Sequence, residues 1–184
     1  MEPFRPTRGG GVRAALAPAE ASLLRSLVGQ VITLIAPDGA PQRQLDDLLD
    51  WNALDAQMGQ TPESPDDPVL ARLLPDGYRD DPTASQEFRK YTEAGLRSAK
   101  QQAAQEMLDT LPEAGGKIQL THDQGHAWLK ALNDVRLALG VRLGVTEEFE
   151  EQWGRLSADD PQWAAYEVYA WLGAVQESLV QALA

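Results

Sequence analysis

Residues 128–145, Trp-Leu-Lys-Ala-Leu-Asn-Asp-Val-Arg-Leu-Ala-Leu-Gly-Val-Arg-Leu-Gly-Val, are apolar almost without interruption, yet Asn133, Asp134, Arg136 and Arg142 lie among them. A helix that is apolar on nearly every side has to be wrapped by other elements, and polar groups caught in it need partners or a seam to point into. On the helical wheel Arg136 falls between Leu129 and Leu143, beside the stripe of Trp128, Leu132, Val135 and Leu139. A charge there is expected to pair with Glu167 or Glu177 of the last helix, or to lay its stem over apolar surface with its head in water. Asn133, Asp134, Arg136 and Glu177 are therefore the candidate polar cluster. In the structural reading they pair within the chain; in the functional one Arg136 anchors a carboxylate of a partner or ligand.

At 184 residues the chain fits one domain spanning 1–184, and a globule of that size buries roughly 70% of its unfolded surface, so no staple is required. Cysteine is absent, which excludes a disulfide, a thiolate metal site, a cysteine nucleophile and a thiol redox switch. The first residues lack the apolar run of a signal peptide, and no stretch approaches a membrane span, so a cytoplasmic protein with no membrane partner is expected. A net charge of −12 repels phosphate backbones and argues against a broad nucleic-acid surface. Arg5, Arg8 and Arg13 run against that trend. They surround Gly9-Gly10-Gly11 with Glu2 as the nearby acid, forming a candidate basic arm that reads as a solvated tail or edge strand and leaves direct DNA contact as a minor expectation.

Asp-Asp-Pro occurs at 66–68, 80–82 and 159–161, each time ahead of helix-forming sequence. An aspartate cap followed by proline at the first helical position satisfies orphan N–H groups and sacrifices no intrahelical bond, whereas a calcium loop needs oxygens spaced through it. Hydrophobic periodicity places helices over 18–35, 69–74, 83–111, 121–145 and 162–183, with a shorter amphipathic piece at 45–58 inside a proline-rich, mobile loop at 36–66. The 83–111 helix presents Phe88, Tyr91, Leu96, Ala99, Ala103, Met107 and Leu111 as one face. Short strands are expected at 12–16 and 117–120, each leading into a helix with a related Leu-basic-small-Leu core, at Leu24–Leu27 and Leu129–Leu132. These two like-built units have strands placed to pair. Residues 146–160 read as an exposed acidic connection. The fold expected is mainly α, a helical bundle with a small two-stranded β ribbon, and the aromatic flank of Trp163, Tyr166 and Trp171 on the last helix is expected to support a homodimer.

No catalytic constellation is legible. His122-Asp123-Gln124-Gly125-His126 imitates the H-E-x-x-H helix of zinc peptidases, but aspartate falls about a methylene short of a metal-bound water, Gly125 weakens the helix, and no third histidine exists. There is no G-x-S-x-G elbow and no phosphate-binding G-x-x-x-x-G-K-[ST] loop. No cofactor and no enzymatic activity are expected, and no helix-turn-helix with a basic recognition helix is evident.

Five blocks in combination, Met1-Glu2-Pro3-Phe4-Arg5, Leu23–Val28, Asp67–Asp76, Trp128–Leu137 and Tyr169-x-Trp171-Leu172-Gly173, give a sequence that resembles the actinobacterial AosR-like family across nearly its whole length. The resemblance implies regulation of transcription in the oxidative-stress response, linked to cysteine biosynthesis and exercised through contacts with a sigma factor or RNA polymerase. Oxidant sensing in that family depends on a cysteine pair, which this chain lacks, so the thiol switch does not carry over. An acidic surface suits docking on a basic protein face. The alternative is a non-enzymatic adaptor module with no role in transcription.

Overall fold

Strict alternation governs the short strands. The computed structural model describes residues 1–36, 65–78, 80–157, 159–160 and 162–184. In it Val12, Ala14 and Leu16 of β2 (Val12–Leu16) and Ile118 and Leu120 of β3 (Gly116–Leu120) turn inward, while Arg13, Lys117 and Gln119 stay outside. The two strands pair antiparallel, Val12 opposite Leu120 and Ala14 opposite Ile118, so the inward side chains stack across the ladder. A third strand, β1 (Glu2–Pro6), pairs with the other side of β2, and the sheet order is β1-β2-β3. The two-stranded ribbon of the sequence reading is thus one strand short. Pro3 and Pro6 weaken a strand signal, yet proline is tolerated on an edge strand, which is where β1 lies. What holds β1 is Phe4, which is buried, meets the Trp128 ring edge-on at 5.8 Å, and donates its amide N–H to Ser178 Oγ at 3.3 Å.

Helix starts follow the capping chemistry. α1 (Pro18–Ile35) begins with proline after the strand, with Glu20 Oε2 accepting the Ala17 N–H at 2.7 Å. Asp67 caps α2 (Pro68–Leu73) by accepting from the Val69 and Leu70 amides at 2.7 and 3.3 Å, and Asp81 caps α3 (Pro82–Thr110) through the Ala84 amide at 3.0 Å. The third Asp-Asp-Pro differs: Asp160 accepts from Gln162 N at 2.8 Å and opens a single turn, and the helix proper, which becomes α6 (Trp163–Leu183), starts after it. α4 (His122–Leu143) starts with a reciprocal Thr121–Gln124 capping box and ends at Gly144, whose φ of 63° is left-handed. Gly115, at φ 74°, is required by close approach as well, since a Cβ would come within 2.8 Å of Leu16 O and Pro18 N.

α4 is the centre. It packs against α1, α2, α3 and α6, while the sheet is covered by α6 over β1, and one continuous apolar cluster runs from Phe4 through Trp128 to Leu179. Trp128 is wholly buried and its indole Nε1–H donates to Thr110 Oγ1 at 2.7 Å, so the largest core side chain also has its polar atom satisfied.

Two expectations are corrected. Phe88, Tyr91 and Leu96 do not face the core; they are 46%, 87% and 38% exposed, and α3 turns Ala103, Ala104 and Met107 inward at its other end. The reason is Arg89, which is 6% exposed and takes the inward position. The 146–160 stretch is no bare connection. It forms α5 (Phe149–Gly154), and Phe149 stacks on Tyr166 at 5.5 Å and meets Tyr169 at 4.9 Å. Tyr166 is consequently buried, with its hydroxyl donating to Leu143 O at 3.2 Å, while Trp163 and Trp171 of the same aromatic flank are half-buried. The loop at 36–66 and the helix at 45–58 fall essentially on residues 37–64, outside the described residues. No described helix is long and apolar enough to cross a membrane.

Thr110→Val keeps the volume of Thr110 and strands the Trp128 indole N–H. A loss of about 1–3 kcal/mol is expected, read by calorimetry as a Tm lowered by roughly 3–8 °C, with an unchanged far-UV spectrum. An unshifted Tm would show that the bond contributes nothing net.

Candidate functional site

The polar groups of α4 find separate partners, each dictated by the face on which it lies. Asp134 turns to α3, where Lys100 Nζ donates to Oδ1 at 2.6 Å; the carboxylate is 4% exposed. Burial pushes the Asp134 carboxyl above its ordinary range, and the Lys100 hydrogen bond and charge only partly offset that. Arg136 turns to α6. Its Nη1 donates to Gln176 Oε1 at 2.8 Å and its guanidinium lies 5.2 Å from the centre of the Tyr169 ring, while Nε is buried with no partner among the described residues. The guanidinium also packs over Gly173, where a Cβ would lie at ordinary contact distance, 3.7 Å from Nη2.

That arrangement corrects the expected pairing with Glu167 or Glu177. Tyr169, Gly173 and Gln176 recur at helical spacing along the stripe of α6 that meets Arg136, whereas Glu177 lies about 100° further round, exposed, and accepts from Gln181 at 2.8 Å. Asn133 is exposed on α4. The four residues therefore do not form one cluster: Asp134 and Arg136 are two seam contacts on different sides of the helix, and Asn133 and Glu177 are surface groups.

A larger charge network was not legible in advance. Arg89 donates to Asp76 at 2.5 Å, to Glu93 at 2.7 Å and to the Leu74 carbonyl at 3.2 Å; Glu93 also holds Arg97, which donates to the Ile35 carbonyl at 2.9 Å. The network ties the turn before α3 to the end of α1. Its sequence signal is the i,i+4 series Arg89, Glu93, Arg97, ordinarily a solvated helix face. Only tertiary packing turns it inward.

Chemistry that turns over a substrate has little to work with among the described residues. His122 and His126 approach each other at 4.5 Å between ring centres, both on the surface, and no group of three His, Asp or Glu side chains converges on a point that could hold a metal. The groove between α3 and α4 contains Glu106, Asp123, His126 and Lys130, but it is open to water and Glu106 already accepts from Gln124 Nε2 at 2.9 Å. A site of that kind neither excludes solvent nor sets two titratable groups against each other. The candidate functional features are instead surfaces. One is an apolar stripe on the first half of α3, where Phe88 and Leu96 lie eight residues apart and Tyr78 meets Phe88 edge-on at 5.9 Å, with Tyr91 alongside. The other is the outer face of the sheet, which carries Arg5, Arg8 and Arg13 in an ordered hairpin, with Thr7 N–H donating to Gly11 O at 2.8 Å across the turn. The arm is thus an edge strand with its turn, one of the two forms expected.

The class defined so far is a mainly helical domain with a small antiparallel sheet. The chain belongs to the family described as a domain of unknown function, DUF2017, whose model matches residues 1–183. It is 40% identical over 190 residues to the oxidative stress regulator AosR of Mycobacterium tuberculosis (strain H37Rv), covering 95% of this chain and 83% of that one, and equally to AosR of Mycobacterium bovis. A relative from Mycobacterium leprae that bears the AosR name is 38% identical over 188 residues, with the same coverage. No solved structure matches the chain.

The raised carboxyl of Asp134 fixes the sign of a pH effect. A folded-state carboxyl held above the ordinary aspartate range means the folded protein takes up the proton first, so ionising Asp134 lowers stability as pH rises through the window just above that range. Lys100→Met is expected to destabilise by about 1–3 kcal/mol at neutral pH, where it leaves a buried carboxylate without its donor. The deficit should shrink near pH 4. Urea melts of Lys100→Met and of Lys100→Met/Asp134→Leu check this: the double variant is expected to regain most of the loss, and a deficit independent of pH would contradict the account.

Proposed function

We propose that this protein is a regulator of the oxidative-stress response that acts on transcription by protein contact, through a sigma factor or RNA polymerase, and without a thiol switch of its own. The regulatory half of the reading is supported by the AosR relatives, similar over 95% of the chain and named as regulators. The observation that carries the contact half is the stripe of Tyr78, Phe88, Tyr91 and Leu96. Its side chains are 52%, 46%, 87% and 38% exposed, four of the five large apolar side chains left outside among the described residues, the fifth being Val180 on α6. Aromatic side chains of this size are the usual anchors of protein interfaces, because they cover much area at low entropic cost. With no cysteine in the sequence, a response to oxidant does not run through a thiol of this chain.

The test is capture of purified RNA-polymerase core and sigma subunits on immobilised protein, compared with Phe88→Ser/Tyr91→Ser. Both residues are exposed enough for the variant to fold, which a thermal melt verifies. Binding to either component, weakened about tenfold or more in the variant and indifferent to peroxide or reductant applied to this chain, supports the proposal. Absence of binding to both, with a folded protein, leaves the adaptor module as the reading.

A further inference from the structure

The two edges of the sheet are finished differently. In an antiparallel strand the N–H and C=O of a residue point to the same side, and that side alternates along the chain. Thr7 N–H donates to Gly11 O at 2.8 Å, so Arg5 and Arg13, two steps along in the same register, form the next hydrogen-bonded pair of β1 and β2. The backbone of Arg13 therefore faces β1, and Val12, Ala14 and Leu16 face β3, where they pair with Leu120, Ile118 and Gly116. That leaves the N–H and C=O of Lys117 and of Gln119 pointing away from β2, along the side of β3 where the sheet ends. Among the described residues nothing bonds to these groups. The opposite edge is closed. Phe4 gives its N–H to Ser178 Oγ, Pro3 and Pro6 have none to give, and α6 lies over the strand. β3 contains no proline, and its ladder with β2 runs without a bulge.

We propose that this edge joins two copies of the chain: β3 pairs antiparallel with β3 of a second copy, so that Lys117 of each lies opposite Gln119 of the other and Ile118 lies opposite itself. The free groups select this register. With the two-fold axis at Ile118, Lys117 and Gln119 exchange all of their outward N–H and C=O groups. Sliding by two residues one way sets Lys117 against Lys117, like charges directly opposed, and needs the Gly115 N–H, which already goes to Pro112 O at 3.4 Å. Sliding by two the other way needs the Thr121 N–H, which Gln124 Oε1 accepts at 3.0 Å in the capping box of α4. A slip of one residue sets an edge-facing residue against one whose backbone is engaged with β2, and turns the inward side chains outward. The edge thus meets its own sequence with every free group used and with the ammonium of Lys117 beside an uncharged amide, which is the self-complementarity that an isologous contact requires. Lys117, a charge that ordinarily discourages strand addition, rejects the wrong register and passes this one. Each copy has one open edge, so assembly closes at two. A contact of a few residues falls short of the ~1,200–2,000 Å² of a standard stable interface, so association is weak, with a dissociation constant of about 10–500 µM. It uses none of the aromatic flank of α6.

The chain has no cysteine, so single cysteines placed on the edge report the register. Lys117→Cys and Gln119→Cys, both at exposed positions, are oxidised with copper–phenanthroline, each alone and the two mixed. The mixture is expected to form cross-linked dimer about tenfold or more faster than either variant alone, because the pairing sets 117 against 119 at the close Cα separation of a hydrogen-bonded pair. Sedimentation equilibrium of the unaltered protein up to about 500 µM is expected to show a monomer–dimer equilibrium. Gln119→Lys, which opposes like charges at both ends of the pair, should raise the dissociation constant about threefold to tenfold, and Lys117→Glu/Gln119→Lys, which opposes unlike charges there, should restore it. Thermal melts establish that each variant is folded. Monomer throughout the range, equal cross-linking rates in the mixture and in the separate variants, or a dimer that Gln119→Lys leaves unchanged overturns the proposal. So does a dimer that Phe88→Ser/Tyr91→Ser abolishes, which would move the contact to the α3 stripe. Capture of polymerase subunits through that stripe is a separate readout and is unaffected by failure here.

Discussion

α4 carries hydrocarbon on most of its sides and leaves only a strip that includes His122, His126, Lys130 and Asn133 to water. Covering it takes α1, α2, α3 and α6 together, and the placement of those helices in turn decides where the sheet lies and what remains outside. Trp128 shows how far the requirement reaches: its ring holds Phe4 and so organises the edge strand, and its indole N–H fixes the last turn of α3 through Thr110. Burial on this scale contributes most of the favourable free energy, at roughly 25 cal/mol per Å² of apolar surface removed from water.

Polar groups in such a helix become contacts between elements. Asp134 and Arg136 are two positions apart, so they leave α4 in directions about 200° apart and reach different neighbours. Asp134 meets an ammonium on α3; Arg136 meets an amide and an aromatic ring on α6, with no carboxylate. The first is an ion pair whose members depend on each other in a desolvated place. The second is a cation held by dipoles and a ring face, its Nε unsatisfied among the described residues. Both orient helices, since neither can slide along its partner without breaking a directional bond.

With the interior occupied in this way, function is left to the outside. The acidic chain shows two departures on its surface, an apolar aromatic stripe on α3 and a basic row on the sheet, and they differ in chemistry. The stripe suits a partner that can exclude water from rings, and the row suits a polyanion that need not.

Local chemistry in the sequence determined a good deal by itself. Period-2 and period-3.6 patterns located β2, β3 and the long helices, Asp67 and Asp81 marked helix starts, the Thr121–Gln124 box marked another, and the absence of cysteine settled which redox chemistry is excluded. These features depend on neighbours within about four residues. Tertiary structure alone decided the rest. Pro3 and Pro6 hid a strand that survives because Phe4 finds Trp128, 124 residues away. Phe88, Tyr91 and Leu96 keep helical spacing yet face outward, because Arg89 is drawn in by Asp76, Glu93 and the Leu74 carbonyl; Arg136 chose Gln176 over the neighbouring Glu177. In each case periodicity defines which residues share a face, but which face is buried depends on the partner waiting there, and that partner comes from a distant part of the chain.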